Sequence, residues 1–134
     1  LEATAAILEE HKDDMAAVLM EPILTGYCPA TQEFMDGLRE VTRRLGILLI
    51  FDEVKTGFRA GLGGAQGYYH IKPDLTCLGT VIGAGLPMGV VGGRKEILMK
   101  AAPLTGSDVF DVSNSHRSSA ADVLFHRELT TAIH

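Results

Sequence analysis

Residues 48–59 read LLIFDEVKTGFR, an apolar run that ends abruptly in two carboxylates. The part from Ile47 to Phe51 shows no polar alternation, which is typical of a strand covered on both faces. Met15 to Met20 is a second run of this kind, and Glu21-Pro22 stops it. Apolar residues at helical spacing lie between the two runs. The order strand, helix, strand predicts a βαβ unit and an α/β fold, with a mostly parallel sheet and helices on both faces.

Further elements are predicted around this unit. Thr31 is expected to cap the helix between the two strands, and Gly46 stands where its C-cap belongs. The remaining segments are an opening helix, two short strands, a short helix and an indistinct stretch that fits a helix: Leu1 to His11, Leu75 to Leu78, Gly89 to Val91, Arg94 to Ala102 and Ala120 to Ile133. Eleven of the 15 glycines lie between residues 57 and 93, so this part is expected to turn tightly or to approach another group closely.

Composition narrows the class of protein. The 134 residues carry 12 Lys and Arg against 17 Asp and Glu, a net charge of −5. This length predicts a single partial domain over residues 1–134. The first residue is Leu1 and not Met, which predicts that the sequence is an internal piece of a longer chain. No cationic cluster favours nucleic acid, and no apolar stretch reaches the roughly 18 residues that favour a membrane span. The separated Cys28 and Cys77 favour a reducing compartment, and the cytoplasm is expected.

The carboxyl ends of the two predicted parallel strands are both acidic. They are Glu21-Pro22 and Asp52-Glu53, and sheets of this class bind ligands beyond such ends. Asp52 is therefore a candidate ligand-binding carboxylate. The local alternative is that Asp52 only starts the next turn, as an Asp after a strand often does.

Three other motifs give weaker indications. Gly83 to Gly89 is similar to a dinucleotide-binding loop, but its third glycine comes one residue late and Pro87 interrupts it. Ser113 to Ser119 places hydroxyls beside His116 without the spacing of a nucleophile elbow, so a polar loop is favoured over a catalytic Ser/His pair. The C-terminal histidines lie ten and eight residues apart, which is not a helical ligand pair, and no metal is expected.

Several short blocks, taken in their order and spacing, resemble the class III, fold type I aminotransferases that use pyridoxal phosphate. The resemblance is closest to the glutamate-1-semialdehyde aminomutase subgroup, runs from about residue 15 to residue 102, and fades over 103–134. The blocks are Glu21-Pro22, Phe34 to Gly46, Leu49 to Val54, Thr56 to Arg59, Gly63 to Tyr69, Pro73 to Gly79, Val81 to Pro87 and Gly92-Gly93. The resemblance implies the central part of a cofactor-binding large domain.

The resemblance also implies cofactor contacts after the second strand. In the family the Asp at this strand end, here Asp52, pairs with the pyridine nitrogen and keeps the ring cationic, so that it draws off electrons from the substrate's α-carbon. Val54, on the same side of an extended chain, is implied to pack on the ring, while Glu53 points away and is structural. Lys55, unusual at its position, and Glu21 are expected near the rim of the site.

One position departs from the family pattern. Directly after Leu78-Gly79 the family carries the Lys that holds the cofactor as a Schiff base, whereas this chain has Thr80. A hydroxyl cannot form an imine, so no catalytic residue is assigned and the activity is expected to be impaired. Loss of acid/base help by itself lowers a rate roughly 10²- to 10⁴-fold.

Two functions remain open at this point. The resemblance implies a fragment of a homodimeric, pyridoxal-phosphate-dependent aminotransferase or aminomutase that acts on an amino acid or keto acid through an imine. Thr80 favours the alternative, a noncatalytic remnant that serves as a binding or dimerising module through its exposed surfaces, or that has no function. A nucleotide-binding α/β domain rests on fold analogy alone.

Overall fold

The computed structural model describes residues 1–101. Helices and strands alternate along this part of the chain. In chain order they are α1 (Glu2–Glu10), β1 (Ala17–Met20), β2 (Ile23–Leu24), β3 (Cys28–Pro29), α2 (Gln32–Leu45), β4 (Leu48–Asp52), α3 (Gly64–Tyr69), β5 (Leu75–Leu78), β6 (Val90–Gly93) and α4 (Lys95–Ala101). None of these helices is long and apolar enough to cross a membrane.

One sheet contains four of the strands, in the order β1-β4-β5-β6. β1 is parallel to β4, with Ala17 opposite Leu48, and β4 is parallel to β5, with Ile50 opposite Leu75. β6 runs antiparallel to β5 at the outer edge. The α/β class with a mostly parallel sheet is confirmed, and β1, α2 and β4 form the predicted strand, helix, strand unit.

Local signals in the sequence fix α2 at both ends. The Thr31 hydroxyl accepts a hydrogen bond from the Phe34 backbone N–H at 3.2 Å, so Thr31 is the predicted N-cap. Gly46 adopts a φ of 74°, the left-handed conformation that glycine tolerates at a helix end. The apolar face of α2, including Met35 and Leu38, is buried in one core with Leu49 and Phe51 of β4.

The sequence prediction lacks three elements, β2, β3 and α3, and misplaces some ends. β2 and β3 form a small antiparallel hairpin after β1, and α3 is a six-residue helix that contains two glycines, poor helix formers. The observed strands and helices begin or end within two residues of the predicted ones; the strand predicted over Gly89 to Val91, for example, is Val90–Gly93. The helix suggested for Ala120 to Ile133 lies outside the described residues.

Asp74 joins three parts of the fold through one buried carboxylate. Its Oδ2 accepts hydrogen bonds from Arg39 Nη1 on α2 at 2.7 Å and from the Leu49 backbone N–H on β4 at 2.9 Å. Its Oδ1 accepts one from Arg94 Nη1 at 3.1 Å, between β6 and α4. Burial acts to raise the pKa of Asp74, but the donors together outweigh burial and hold the pKa below its ordinary value.

We expect Asp74→Asn to lower the free energy of unfolding by about 3 kcal/mol at neutral pH, because Arg39 then stays charged and buried without its partner. Because the folded pKa is depressed, the carboxylate's contribution is complete above the ordinary pKa of about 3.9 and is lost as pH falls through the lower folded value. Urea unfolding from neutral to strongly acidic pH measures both effects. The variant should therefore lose less stability on acidification than the parent does.

The control for this experiment is Glu9→Gln, which removes an exposed ion pair with Arg44. Exposed pairs contribute little, so its free energy of unfolding should change by less than about 1 kcal/mol. Equal losses in the two variants would show that Asp74 does not hold the fold together.

Candidate active site

Three strand ends meet at one edge of the sheet. Glu21 follows β1, Asp52 ends β4, and Gly79-Thr80 follows β5. Because β4 pairs in parallel with both neighbours, Asp52 lies between the other two strand ends. The edge therefore brings together the acidic residues that the sequence marked and Thr80, where the sequence analysis expects a departure from the pattern, in the place where sheets of this class bind ligands.

Asp52 is partly buried and lies opposite Cys77 of β5. Its Oδ1 accepts a hydrogen bond from the Val54 backbone N–H at 3.0 Å, so the turn-starting role that the sequence left open is real. Within residues 1–101 the other carboxylate oxygen accepts no hydrogen bond. Burial first, and the negative charge of Asp52 second, raises the pKa of the Cys77 thiol.

Val54 lies beyond the end of β4, and the expectation of an extended chain through this residue is wrong. The backbone turns immediately, because the Gly57 N–H donates to the Glu53 carbonyl at 2.8 Å. Strand alternation therefore does not set the direction of the Val54 side chain. Its methyl groups lie against Gly79, where an added Cβ would be 3.2 and 3.3 Å from Cγ1 and Cγ2. Val54 thus fills the space between the ends of β4 and β5, and its packing on a ring stays a prediction.

Glu53 is only 1% exposed, and its carboxylate holds the segment that follows the site. Oε2 accepts hydrogen bonds from the Ala65 N–H at 2.5 Å and the Thr56 hydroxyl at 3.1 Å, and Oε1 accepts two from the backbone and side chain of Gln66, at 3.2 and 3.1 Å. Gly64 has a φ of 60°, and a Cβ there would collide with this carboxylate. These contacts agree with the structural role expected for Glu53, although the sequence did not identify its partners.

Lys55 and Glu21 form an ion pair at the same edge, with 3.5 Å between Nζ and Oε1. Glu21 Oε2 also accepts a hydrogen bond from the Thr25 N–H at 2.8 Å, which fixes the carboxylate beside the β2–β3 turn. The Lys55 side chain is 47% exposed. Together with Tyr27 and Arg59 it lines an open cleft of about 460 Å³. The two residues predicted at the rim therefore lie together at the edge.

Thr80 is exposed and adopts a φ of 36°. Residues with a branched Cβ seldom adopt this left-handed conformation, so the loop, and not the preference of threonine, sets the backbone here. The loop turns at once, since the Ile82 N–H donates to the Gly79 carbonyl at 3.2 Å. The sequence between β5 and β6 contains no lysine, so this loop offers no amine to the edge.

The surroundings of the edge contain no further ligand set among residues 1–101. A cleft of about 420 Å³ is lined by Glu53, Phe58, Leu62 and Leu78, and Asp52 does not contribute to it. No group of three or more His, Cys, Asp or Glu side chains in this part of the chain is arranged to hold a metal ion. The C-terminal histidines lie outside the described residues.

The fold is that of an α/β protein with a mostly parallel sheet, and Asp52 lies at the strand-end edge where proteins of this class bind ligands. Comparison with known proteins identifies the family. The family model described as Aminotransferase class-III matches residues 1–120, and the chain belongs to this family. The cofactor of the family is pyridoxal phosphate.

Similar sequences and structures agree with this assignment. The chain is 54% identical over 106 residues to glutamate-1-semialdehyde 2,1-aminomutase 2 of Staphylococcus haemolyticus, covering 78% of this chain and 25% of that protein. A transaminase solved with PLP bound has a TM-score of 0.76 and 37% identity, covering 85% of this chain and 27% of that one. A lysine-to-alanine variant of a glutamate-1-semialdehyde aminomutase from Pseudomonas aeruginosa, solved in complex with PMP, has a TM-score of 0.64 and 37% identity over 74% of this chain and 22% of that one. The chain spans about a quarter of the length of the curated relatives it matches.

Glu53→Gln should loosen the start of α3, because an amide side chain has one acceptor oxygen in place of two. We expect faster hydrogen exchange at the amides of Ala65 and Gln66, and a loss of about 2 kcal/mol in the free energy of unfolding. Residue-resolved hydrogen exchange measures the first effect and urea unfolding the second. The matched control, Glu40→Gln on the exposed side of α2, should leave both amides protected. Unchanged exchange at Ala65 in the Glu53 variant would contradict the role given to this carboxylate.

Proposed function

We propose that this chain forms the cofactor-binding centre of a pyridoxal-phosphate-dependent aminotransferase or aminomutase, with Asp52 as the partner of the pyridine nitrogen. One observation carries the proposal. The Asp52 carboxylate lies between two other strand ends, with one oxygen held by the Val54 N–H and the other accepting no hydrogen bond within residues 1–101. Membership of the class III aminotransferase family over residues 1–120 supports the choice of cofactor.

The Asp52 carboxylate fits a ring nitrogen that must stay protonated. When bound, pyridoxal phosphate supplies an electron-withdrawing ring for reactions at the α-carbon of an amino acid. The task of Asp52 is to keep that ring cationic, and a carboxylate whose position is fixed by a hydrogen bond can do so without moving. The short turn at Val54 therefore contributes directly to the site, because it orients Asp52.

Val54 and Gly79 are the proposed wall for the flat side of the ring. The Val54 methyl groups lie beside Gly79, because only the absence of a Cβ at Gly79 leaves room for them, so the two residues form an apolar surface close to Asp52. An apolar wall excludes water from one side of the ring and strengthens the charge interaction at its nitrogen. A larger residue at position 79 would push Val54 away, since an added Cβ already comes within 3.2 Å of it.

Thr80 does not fit covalent attachment of an aldehyde, because condensation needs an amine and a hydroxyl offers none. Position 80 also lacks the group that moves a proton at the α-carbon, which predicts a rate roughly 10²- to 10⁴-fold lower than with such a group. Binding is therefore proposed to depend on Asp52 and Val54 and not on position 80. The lysine-to-alanine aminomutase variant solved with PMP supports such binding in a relative.

The activity of the whole protein is part of the same proposal. We infer an amino-group transfer or shift on an amino acid or keto acid, in a homodimer located in the cytoplasm. The name of the S. haemolyticus relative supports the aminomutase form of this chemistry, and the chain covers about a quarter of that protein.

A second candidate function is a noncatalytic binding or dimerising module. The observation that favours it is the set of large apolar side chains left open in residues 1–101, among them Leu19, 63% exposed at the edge strand β1, and Leu62, 93% exposed before α3. Apolar surface of this kind stabilises association. Light scattering at increasing protein concentration measures association, and equilibrium dialysis measures binding of pyridoxal phosphate. Association without binding of pyridoxal phosphate supports the noncatalytic module and not the cofactor-binding function.

Asp52→Asn should weaken the binding of pyridoxal phosphate at least about tenfold, because the amide keeps the shape and the bond from Val54 but loses the charge. Equilibrium dialysis, read by cofactor absorbance, measures the dissociation constant without requiring turnover. The matched control is Asp13→Asn, an exposed carboxylate after α1, which should bind as the parent does. If the parent, Asp52→Asn and Asp13→Asn bound pyridoxal phosphate with the same dissociation constant, Asp52 would not be a contact of the cofactor.

Thr80→Lys should give a protein in which borohydride links pyridoxal phosphate covalently to position 80, because the edge is already formed and lacks only an amine there. Mass spectrometry of the reduced, digested protein locates the added group. Thr80→Arg is the control, since a guanidinium has similar length and charge but does not condense with aldehydes. If neither variant carries label at position 80, the loop after β5 does not reach the bound cofactor.

A further inference from the structure

The five lysines of the sequence all lie within the described residues. They differ in which end of the parallel strands they lie near. Lys12 precedes β1 and Lys72 precedes β5, so both lie toward the amino ends of parallel strands. Lys95 follows β6, which is antiparallel to β5, and therefore lies toward that same side. Lys100 lies on α4, which packs against β6.

Lys55 is the exception. It lies three residues after Asp52, in the turn that follows the carboxyl end of β4. Its Nζ is 3.5 Å from a carboxylate oxygen of Glu21, the residue directly after Met20, and Met20 pairs with Phe51, the neighbour of Asp52. The lysine amine therefore lies beside the strand end adjacent to Asp52, on the opposite side from Thr80.

The ion pair with Glu21 does not explain Lys55 as a stabilising residue. An exposed pair at 3.5 Å contributes about 0–1 kcal/mol. It does restrict where the amine lies, because the Glu21 carboxylate is itself fixed by the Thr25 N–H. The open cleft shared with Tyr27 and Arg59 leaves the Lys55 side chain approachable from solvent.

We propose that Lys55 is the amine that captures aldehydes at this edge, in place of the one missing at position 80. This inference rests on the proposed function, since Asp52 is taken to hold the ring of the same ligand. The ligand class is an aromatic aldehyde with a ring nitrogen, and pyridoxal phosphate is the probe.

The condensation needs no group other than Lys55, Glu21 and the aldehyde. The Lys55 ammonium gives one proton to Glu21, and its nitrogen then forms a bond to the aldehyde carbon. The carbonyl oxygen leaves as water after taking up two protons, one returned by Glu21 and one from the same nitrogen, which keeps its third proton in the protonated imine. One C=N bond replaces one C=O bond, and nothing is oxidised or reduced. Glu21 is thus a positioning and proton-accepting residue for Lys55.

The test uses the full 134-residue chain, pyridoxal phosphate below the protein concentration, and borohydride to make the bond permanent. Peptide mapping by mass spectrometry then gives the label on each of the five lysines. We expect at least about tenfold more label on Lys55 than on Lys72, an exposed lysine at the other edge of the sheet. Lys55→Arg should remove that label, whereas the matched control Lys72→Arg should leave it unchanged.

Two further variants separate a site from a merely reactive lysine. Asp52→Asn should lower the label on Lys55 without changing that on Lys72, and Glu21→Gln should slow labelling of Lys55 several-fold while the rate of labelling at Lys72 stays the same. The inference would be overturned if the label were spread evenly over the lysines, or if Asp52→Asn left the amount of label on Lys55 unchanged.

The failure of this inference and the failure of the proposed function give different results. If dialysis shows binding that depends on Asp52 but Lys55 carries no excess label, the proposed function stands and Lys55 is not the amine. If binding does not depend on Asp52 and label is uniform, both are wrong.

Discussion

The pairing of β4 on both sides is the constraint on which the rest of the structure depends. β4 is hydrogen-bonded in parallel to β1 and β5, so its register determines which residue leaves the sheet at the central position of the edge. Asp52 and Glu53 are adjacent carboxylates in different environments: Asp52 is partly buried at the edge and accepts one hydrogen bond, from the Val54 N–H, whereas Glu53 is 1% exposed and accepts four. A slip of one residue would exchange their faces, and it would leave a carboxylate buried without the donors that α3 provides.

Buried carboxylates maintain this register from outside the site. Asp74 binds the Leu49 backbone on β4 and two arginines, and Glu53 binds the backbone at the start of α3. Buried acceptors of this kind are favourable only when each oxygen is satisfied, which both pairs of oxygens are. The hydrogen bonds that hold the strands behind the edge therefore come from residues outside the proposed site.

Sequence predicted the parts of the fold that depend on local signals. Thr31 and Gly46 mark α2 through contacts within four residues of the helix ends, and the two apolar runs mark β1 and β4 without reference to the rest of the chain. The parts it lacked depend on distant partners. Helix α3 contains glycine, and near its start the Ala65 N–H donates to Glu53, 12 residues earlier. The hydrogen bond from Arg39 to Asp74 spans 35 residues. At the site, the strand end at Asp52 was predictable, whereas the turn that moves Val54 out of strand alternation was not, because the Gly57 to Glu53 bond that closes it leaves no periodic pattern.

The residue at position 80 does not determine whether the edge of the sheet forms. No contact that fixes β4, Glu53 or Asp74 involves position 80, so the fold has no structural reason to require a lysine there. The backbone nevertheless keeps a φ of 36° at this residue, a conformation that costs a branched side chain of order 1 kcal/mol or more. The conformation belongs to the loop between β5 and β6, whose glycines turn it, and not to threonine. The scaffold tolerates this cost at a position that carries a hydroxyl and not an amine, and any amine placed beside Asp52 meets strand ends that are already in position.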